Sequence, residues 1–162
     1  MSDAPLIVSV SGIRGIVGAS LTDETVSRFS DAFATWLPEQ ARVVLARDTR
    51  PSGAAFARIV SDSLMAAGCH VIDLGLCPTP VAKMMVLEME AQGALILTAS
   101  HNPAAWNGLK LIRSDGIFLN AADGALVESA YHERRRREGA AKGTSETVDA
   151  EKVRQIHFDR LL

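Results

Sequence analysis

Short apolar runs and amphipathic stretches alternate over the first 97 residues of the chain. Four apolar runs have the length of buried β-strands, which are apolar on both faces in parallel sheets. They are residues 6–10, 42–46, 71–74 and 94–97. The stretches between them place apolar residues at helical spacing, with Thr22 as a cap for the first helix and Gly68 as the end of the second. This alternation predicts a layered α/β sheet with parallel crossovers.

The pattern changes after the fourth strand. Residues 109–113 and 117–119 are apolar and flank an Asp-Gly pair, which is typical of a tight hairpin. We therefore expect an antiparallel part at one side of the sheet. Further on, the sequence predicts a helix over 122–137 and a loop or linker over the small polar residues 139–147.

The predicted fold class is α/β, a three-layer α/β/α domain with a mixed, mostly parallel sheet. Its expected extent is residues 1–148, and residues 149–162 are expected to form a terminal helix or linker towards a second domain. A face cut from such a neighbour should expose apolar side chains, which favours an artificial dimer. The candidates on the terminal helix are Ile156, Phe158, Leu161 and Leu162.

The composition fits an ordinary soluble globular protein with one hydrophobic core. Of the 162 residues, 48% are hydrophobic and 22% are charged, and the net charge is −2. Neither nucleic acid nor a membrane is indicated as a partner, and the arginine run at 134–137 is interpreted as a solvated helix face. Cys69 and Cys77 are interpreted as small buried residues. No leader or membrane-spanning run is visible, so the expected location is the cytoplasm.

Three segments that follow predicted strands carry the chemistry of anion binding. They are Ser11–Gly15, Arg47–Gly53 and Thr98–Gly108, and each combines glycine or proline with hydroxyl, amide or arginine groups. Because the strands of a parallel sheet end at one edge, where ligands bind, we expect these segments to lie along it. Backbone N–H groups and arginine forks are the donors that hold phosphate.

Each segment also has a structural interpretation. The first, Ser11–Gly15, can equally be a tight turn and nothing more. The second is better explained as a helix entry, with Ser52 as the cap and Asp48 paired with a neighbouring arginine. The third, Thr98–Gly108, resists such an explanation, because a strand end rarely needs serine, histidine and asparagine together.

Ser100 is the candidate nucleophile or phosphoryl carrier of the third segment. Neighbouring side chains point apart in an extended chain, so a base pair between Ser100 and His101 is not assumed. A Gly-x-Ser-x-Gly elbow is absent from the sequence, which argues against a hydrolase. Lys110 follows nearby and is a candidate general acid or base if burial and other cations lower its pKa.

The string TASHNPAAWNGLK at 98–110 resembles the active-site serine loop of the α-D-phosphohexomutases. That superfamily includes phosphoglucomutase, phosphomannomutase and phosphoglucosamine mutase. Three further stretches resemble family landmarks in the family's order: Ser-Gly-Ile-Arg-Gly at 11–15, Arg-Asp-Thr-Arg-Pro-Ser-Gly at 47–53 and Gly-Leu-Cys-Pro-Thr-Pro at 75–80. The resemblance covers essentially the whole chain, as the first of the family's four domains.

The resemblance implies that Ser100 is a phosphoserine, which gives its phosphoryl group to a hexose phosphate and recovers one from a hexose 1,6-bisphosphate. The phosphate thereby moves between the C1 and C6 hydroxyls of the sugar. A Mg²⁺ ion would bind the Ser100 phosphate, and hexose 1,6-bisphosphate would act as activator. The other implied site residues are Lys110 for proton transfer, His101 as a further catalytic residue, and Arg14, Asn102, Thr98 and Arg47 for binding phosphate or substrate.

The sequence also departs from the family pattern. It has no Asp-x-Asp-x-Asp run for the metal, it lacks the family's sugar-recognition and phosphate-binding loops, and Trp106 stands where relatives often carry tyrosine. We therefore expect the amino-terminal domain of a longer phosphohexomutase, which acts on a hexose phosphate together with its missing domains and is inactive, or nearly so, alone. The alternative is a non-catalytic, stand-alone module of the same fold that binds phosphate or a partner. The substrate cannot be read from this part of the family pattern, although Ser9–Gly15 slightly favours a phosphoglucosamine or phosphomannose enzyme.

Overall fold

The computed structural model describes residues 5–137 and 141–160. Seven strands and five helices lie in these two ranges. In chain order they are β1 (Ile7–Ser9), β2 (Gly12–Ile16), α1 (Asp23–Trp36), β3 (Arg42–Arg47), α2 (Gly53–Ala66), β4 (His70–Leu76), α3 (Thr79–Glu88), β5 (Gly93–Leu97), β6 (Trp106–Arg113), α4 (Ala121–His132), β7 (Ser145–Thr147) and α5 (Ala150–Asp159).

All seven strands belong to one sheet, in the order β1-β2-β6-β5-β3-β4-β7. The pairs β5–β3, β3–β4 and β4–β7 are parallel, whereas β1–β2, β2–β6 and β6–β5 are antiparallel. Only β1 and β6 therefore run against the other five strands of the described sheet. The prediction of a mixed α/β sheet with most strands in one direction is confirmed.

The helices cover both faces of the sheet. One apolar cluster joins α1, α2 and α4 to the sheet, and a second cluster joins α3 and α5 to the opposite face. Strand β5 lies between the two layers and is buried at every residue. Its side chains alternate between the clusters, with Leu95 and Leu97 in the first and Ala94 and Ile96 in the second. This is the predicted three-layer α/β/α arrangement.

The local signals for the helices act as expected. Thr22 Oγ1 accepts a hydrogen bond from Thr25 N at 3.2 Å at the start of α1. Gly68 follows Ala67, the C-cap of α2, and adopts a φ of +85°, which the absence of a Cβ permits. Cys69 and Cys77 are both free and buried, as interpreted from the sequence. Burial raises the pKa of the Cys77 thiol to about 11.

The largest error of the sequence prediction concerns residues 11–15. The pattern predicts a loop after the first strand, but most of these residues belong to β2, which forms a hairpin with β1. The turn lies between the paired residues Ser9 and Gly12, and Gly12 takes a φ of +121°. The two glycines and the arginine are not typical strand residues, so the sequence pattern does not indicate a strand here. In the structure the burial alternates as in a strand, with Ile13 and Gly15 buried and their neighbours more exposed.

The chain after β6 also differs from the prediction. Residues 117–119 form no strand, and only an isolated bridge joins Phe118 to Ile112. The antiparallel part of the sheet is instead built by β1, β2 and β6. The helix expected over 122–137 ends at His132, and the expected loop over 139–147 includes strand β7, while residues 138–140 lie outside the described ranges.

The arginine run at 134–137 is not a helix face, because it follows the end of α4. Arg137 is only partly exposed, and its guanidinium donates hydrogen bonds to several backbone carbonyls. They belong to Ala34, Leu37, Pro38 and Ala67, at the ends of α1 and α2. Part of the run is therefore structural, since it supplies donors for helix carbonyls that lack intrahelical partners.

The terminal helix α5 packs onto the sheet through Val153, which is buried. Ile156 is half-buried against the same cluster, and Phe158 is 52% exposed. Leu161 and Leu162, also expected on an exposed face, lie outside the described residues. The domain boundary at 148/149 stays a prediction. None of the helices in residues 5–137 and 141–160 is both long and apolar enough to cross a membrane.

Candidate functional site

A polar cleft opens between β2 and the segment that follows β5. Its volume is about 190 Å³, and its lining comes from residues that are distant in sequence. The lining residues are Ser11, Gly12, Ile13, Arg14, Thr98, Ala99, Ser100, His101 and Lys110. The structure thus brings together five of the predicted site residues, Arg14, Thr98, Ser100, His101 and Lys110.

The sheet register explains this convergence. Leu109 of β6 pairs with Ile13 of β2 on one side and with Leu97 of β5 on the other. Because β6 runs antiparallel to both neighbours, Arg14 and Thr98 lie on either side of Gly108, and Thr98 N donates to Gly108 O at 3.0 Å. Lys110 pairs with Ile96 and lies two residues along β6 from Gly108, on the same face of the sheet. Arg14, predicted to follow a first strand, is therefore placed by a second strand that the sequence pattern did not reveal.

Ser100 has an unusual backbone conformation for a residue with a side chain. Its φ is +56°, in the left-handed region, and its N–H donates to Thr98 Oγ1 at 3.0 Å. Thr98 and Ala99 are buried, whereas Ser100 is exposed. Such a conformation costs about 1–3 kcal/mol and persists only where surrounding contacts hold it. The strand thus ends in a constrained turn that presents one hydroxyl to the cleft.

Lys110 lies half-buried on the other side of the cleft. Burial lowers the pKa of its ammonium group, and the positive charges of Arg14 and Lys83 lower it further. Its Nζ lies 5.5 Å from the centre of the Phe118 ring. The lowered pKa makes the Lys110 ammonium a better proton donor than that of an exposed lysine.

The other predicted residues have different places. Arg14 Nη1 lies 3.5 Å from Asn102 Oδ1, which connects β2 with the serine loop, residues 98–106. His101 lines the cleft beside Ser100. Arg47 lies instead on a neighbouring cleft, which also contains Thr79 and shares Thr98 with the first.

Arg50 is the residue that sequence reasoning missed. Its side chain is only 10% exposed and donates hydrogen bonds to backbone carbonyls of the serine loop. Asp48 does pair with a neighbouring arginine, as predicted, because its Oδ2 lies 3.1 Å from Arg50 Nε. The available signal was the pair of arginines in Arg47-Asp48-Thr49-Arg50, of which only the first was chosen as a site candidate.

Ser52 precedes α2 but makes no side-chain capping hydrogen bond, so that part of the prediction is wrong. Its hydroxyl instead accepts a hydrogen bond from Asn107 Nδ2 at 2.8 Å. Asn107 is fully buried, and its Oδ1 accepts from Gly108 N, also at 2.8 Å. Asn107 therefore anchors β6 to the loop before α2.

Gly108 has a separate steric reason to lack a side chain. A Cβ there would lie 2.4 Å from the carbonyl oxygen of Ile13 and 3.0 Å from that of Thr98. Both contacts are with backbone atoms, which cannot move aside without disturbing the sheet. Close approach of β2 and the serine loop around β6 thus depends on this glycine.

The magnesium ion implied by the resemblance does not fit the described residues alone. No group of three or more His, Cys, Asp or Glu side chains in residues 5–137 and 141–160 is placed to hold a metal ion. The cleft offers hydroxyl oxygens beside two cationic side chains, Arg14 and Lys110. Magnesium prefers carboxylate and phosphate oxygens, so these groups do not form a site for it without further ligands.

The fold and the cleft define an α/β/α domain that gathers a serine, an arginine and a lysine at a sheet edge. Residues 6–138 match the profile of a family described as phosphoglucomutase/phosphomannomutase, alpha/beta/alpha domain I. The chain belongs to this phosphohexomutase family, as its first domain.

Individual relatives agree with this assignment. The phosphoglucosamine/phosphogalactosamine mutase of Sulfurisphaera tokodaii is 33% identical over 129 residues, which are 80% of this chain and 28% of the relative. The phosphoglucomutase/phosphomannomutase of Thermococcus kodakarensis is 37% identical over 124 residues, 74% of this chain and 27% of the relative. A crystal structure of a phosphomannomutase homologue from Thermus thermophilus superposes with a TM-score of 0.84 at 32% identity, covering 98% of this chain and 36% of that one. The chain thus spans little more than a quarter to a third of the length of these relatives.

Proposed function

We propose that this chain is the phosphoserine-bearing domain of a phosphohexomutase that moves a phosphoryl group between the C1 and C6 hydroxyls of a hexose phosphate. The observation that carries the proposal is that Ser100, Arg14 and Lys110 line one cleft. Membership of a family whose relatives are named as mutases of hexose and hexosamine phosphates supports it. The proposed class is therefore an isomerase that works by phosphoryl transfer.

The reaction begins with a phosphoryl group on Ser100 Oγ. The bond from phosphorus to Ser100 Oγ breaks while a bond from phosphorus to a sugar hydroxyl oxygen forms, giving the hexose 1,6-bisphosphate. One proton passes from that hydroxyl to Ser100 Oγ, with Lys110 Nζ as the relay. The return step reverses these bonds at the other end of the bisphosphate, so atoms and charge balance over the cycle. Free hexose 1,6-bisphosphate phosphorylates the resting serine by the same return step and acts as activator.

The remaining residues orient and neutralise the phosphate. Arg14 supplies positive charge beside the serine loop, where its guanidinium also contacts Asn102. Thr98 Oγ1 accepts from Ser100 N and so fixes the direction in which the serine hydroxyl leaves the backbone. His101 completes the cleft wall, and Arg47 on the neighbouring cleft is proposed to contact the substrate.

Several parts of the proposal lie outside the described residues. Magnesium would bind the Ser100 phosphate, but its other oxygen ligands have to come from elsewhere. We propose that further domains supply these ligands and the sugar contacts, that the 162-residue chain alone has little mutase activity, and that the enzyme works in the cytoplasm. The exposed Phe158 on α5 is proposed to favour dimers of the isolated chain.

Phosphorylation of the chain tests the proposal. The full-length enzyme, this domain together with the further domains proposed above, is incubated with hexose 1,6-bisphosphate and Mg²⁺, and the modified residue is located by peptide mass spectrometry. We expect one phosphoryl group on Ser100, none in Ser100→Ala, and no change in Ser11→Ala, a matched control because Ser11 lines the same cleft. Binding of hexose phosphate without modification of Ser100 would contradict the proposal and favour the non-catalytic binding module.

A further inference from the structure

We propose that Arg50 is a positioning residue, which holds Ser100 in its left-handed conformation by binding the carbonyl oxygens of the serine loop. The inference rests on the proposed function only in giving Ser100 a chemical role. The contacts that support it are geometric and involve no ligand.

The Arg50 guanidinium donates to four carbonyl oxygens of one loop. Nη1 donates to Pro103 O and Trp106 O, both at 2.7 Å. Nη2 donates to Asn102 O at 2.7 Å and to Ser100 O at 3.0 Å. A loop outside regular structure needs donors for its carbonyls, and here a single side chain supplies donors to four of them.

Arg50 is itself anchored to the sheet through Asp48. Asp48 Oδ2 accepts from Arg50 Nε at 3.1 Å, and Oδ1 accepts from Arg50 N at 3.0 Å. Asp48 N in turn donates to Leu97 O at 3.0 Å, at the last residue of β5. The arginine that binds the serine loop is therefore tied to the strand from which the loop departs.

The contacts of Arg50 matter because Ser100 has a positive φ. A left-handed serine is sterically disfavoured and is kept only where its surroundings determine it. Arg50 binds the carbonyl of Ser100 itself and the carbonyl two residues later, so it fixes two peptide groups of the turn. Without it, the chain at Ser100 is free to relax and the hydroxyl loses its direction.

The role differs from that of Arg14. Arg50 is 90% buried, and its Nε, Nη1 and Nη2 all donate to protein oxygens, so its donors are not available to a phosphate. Arg14 lines the cleft, and its Nη1 has only a long contact of 3.5 Å with Asn102 Oδ1. Lysine is no substitute for Arg50, because a single ammonium nitrogen cannot reproduce the planar fork of a guanidinium.

Amide hydrogen exchange of the 162-residue chain, followed by mass spectrometry without any phosphate compound, tests the contact directly. The reporters are the N–H groups of Asn102 and Trp106, which donate within the loop to Ala99 O and Pro103 O. We expect Arg50→Met to accelerate their exchange by about tenfold or more. Arg50→Lys should behave like Arg50→Met, and Arg58→Met, which removes an exposed arginine of α2, should leave the loop unchanged.

Two further measurements separate positioning from general stability. A low, non-denaturing concentration of guanidinium ion should restore loop protection in Arg50→Met but leave Arg58→Met unaffected. In the full-length enzyme, phosphorylation of Ser100 by hexose 1,6-bisphosphate should slow by about tenfold, while the affinity for inorganic phosphate changes less than about twofold. If Arg50→Met does not fold, the same measurements on Arg50→Lys are compared with those on the wild type and Arg58→Met.

Loop protection that survives both Arg50 substitutions would overturn the inference. Faster exchange of α1 and the loop together, with no rescue by guanidinium, would also overturn it, because Arg50 would then stabilise the whole domain. If Arg50→Met loses loop protection but Ser100 of the full-length enzyme never accepts phosphate, the inference about Arg50 stands and the proposed function alone is contradicted.

Discussion

Asn107 Nδ2 donates a 2.8 Å hydrogen bond to Ser52 Oγ and so connects β6 with the loop that carries Arg50. The contact is buried on the Asn107 side, where the residue has no exposed surface. Asn107 Oδ1 accepts from Gly108 N, so both ends of the amide have a partner. The strand that places Lys110 in the cleft and the loop that supports Ser100 are thereby held together.

Asn107→Ala should destabilise the fold. It leaves Ser52 Oγ and the N–H of Gly108 without their side-chain partner in the interior, which costs about 1–3 kcal/mol of the free energy of unfolding. Urea denaturation of the variant and the wild type measures the change.

A double-mutant cycle with Ser52→Ala is the control for this contact. We expect a coupling of about 0.5 kcal/mol or more between the two substitutions, because each removes the same hydrogen bond. Changes that simply add would show that Asn107 contributes through Gly108 alone.

Gly108→Ala should disrupt the junction of β2, β6 and the serine loop. The added methyl group would lie 2.4 Å from the carbonyl oxygen of Ile13. We expect the free energy of unfolding to fall by about 2 kcal/mol or more. Gly124→Ala is the matched control, because Gly124 lies inside α4 and a Cβ there meets nothing within 4 Å. In this control the free energy of unfolding should rise by about 0.5–1 kcal/mol, because alanine has a higher helix propensity than glycine. Thermal unfolding of both variants measures the difference, and equal effects would contradict the steric explanation.

Arg137→Met should cost more stability than Arg136→Met. Arg137 donates to carbonyls at the ends of α1 and α2, including Pro38 O and Ala67 O at 3.3 Å. We expect a loss of about 1–3 kcal/mol when these carbonyls lose a charged donor. Arg136 is exposed and lies 3.7 Å from Asp31, so its removal should change stability by less than about 1 kcal/mol. A larger loss for Arg136→Met in chemical denaturation would refute this ranking.

The elements that can be predicted from the sequence are those whose apolar residues follow a regular strand or helix pattern. Strand β5 is an uninterrupted apolar run, and α1 has its buried residues at helical spacing behind Thr22, so both were recognised. Strand β2 was not, because Gly-Ile-Arg-Gly-Ile contains two glycines and an arginine and resembles a turn. It pairs with β1 in a hairpin and with β6, and the pairing with β6, which lies far away in sequence, leaves no local signal.

Some residues of the candidate site can likewise be predicted from the sequence, and others cannot. Ser100 is predicted because polar residues follow an uninterrupted apolar strand, and Lys110 because it follows nearby, whereas the roles of Arg14 and His101 come from the family resemblance. Arg50 was missed because its partners are backbone carbonyls, and a sequence carries no mark of where a carbonyl oxygen points. Residues that act on backbone atoms can be assigned only once the loop geometry is known.

The lowered pKa of Lys110 predicts a pH-dependent stability. In the folded state burial, and then Arg14 and Lys83, disfavour the charged ammonium, whereas in the unfolded chain it titrates near 10.5. Below the folded pKa the lysine is charged in both states, and the free energy of unfolding is reduced by the full cost of burying the charged ammonium. As pH rises from the folded pKa to 10.5, the unfolded chain binds more protons, so stability should rise relative to a chain without this lysine.

Lys110→Met removes the charge and keeps most of the aliphatic side chain. We expect the variant to be more stable than wild type at neutral pH, by no more than about 1 kcal/mol because solvent screens the partly exposed group. The advantage should shrink as pH rises from the folded pKa towards 10.5 and level off above 10.5, where the wild-type lysine is neutral in both states. Lys152→Met, at an exposed position of α5, is the control and should show neither effect. Unfolding by urea at several pH values measures both, and a variant that loses stability at neutral pH would mean that contacts such as the Phe118 ring outweigh the cost of the charge.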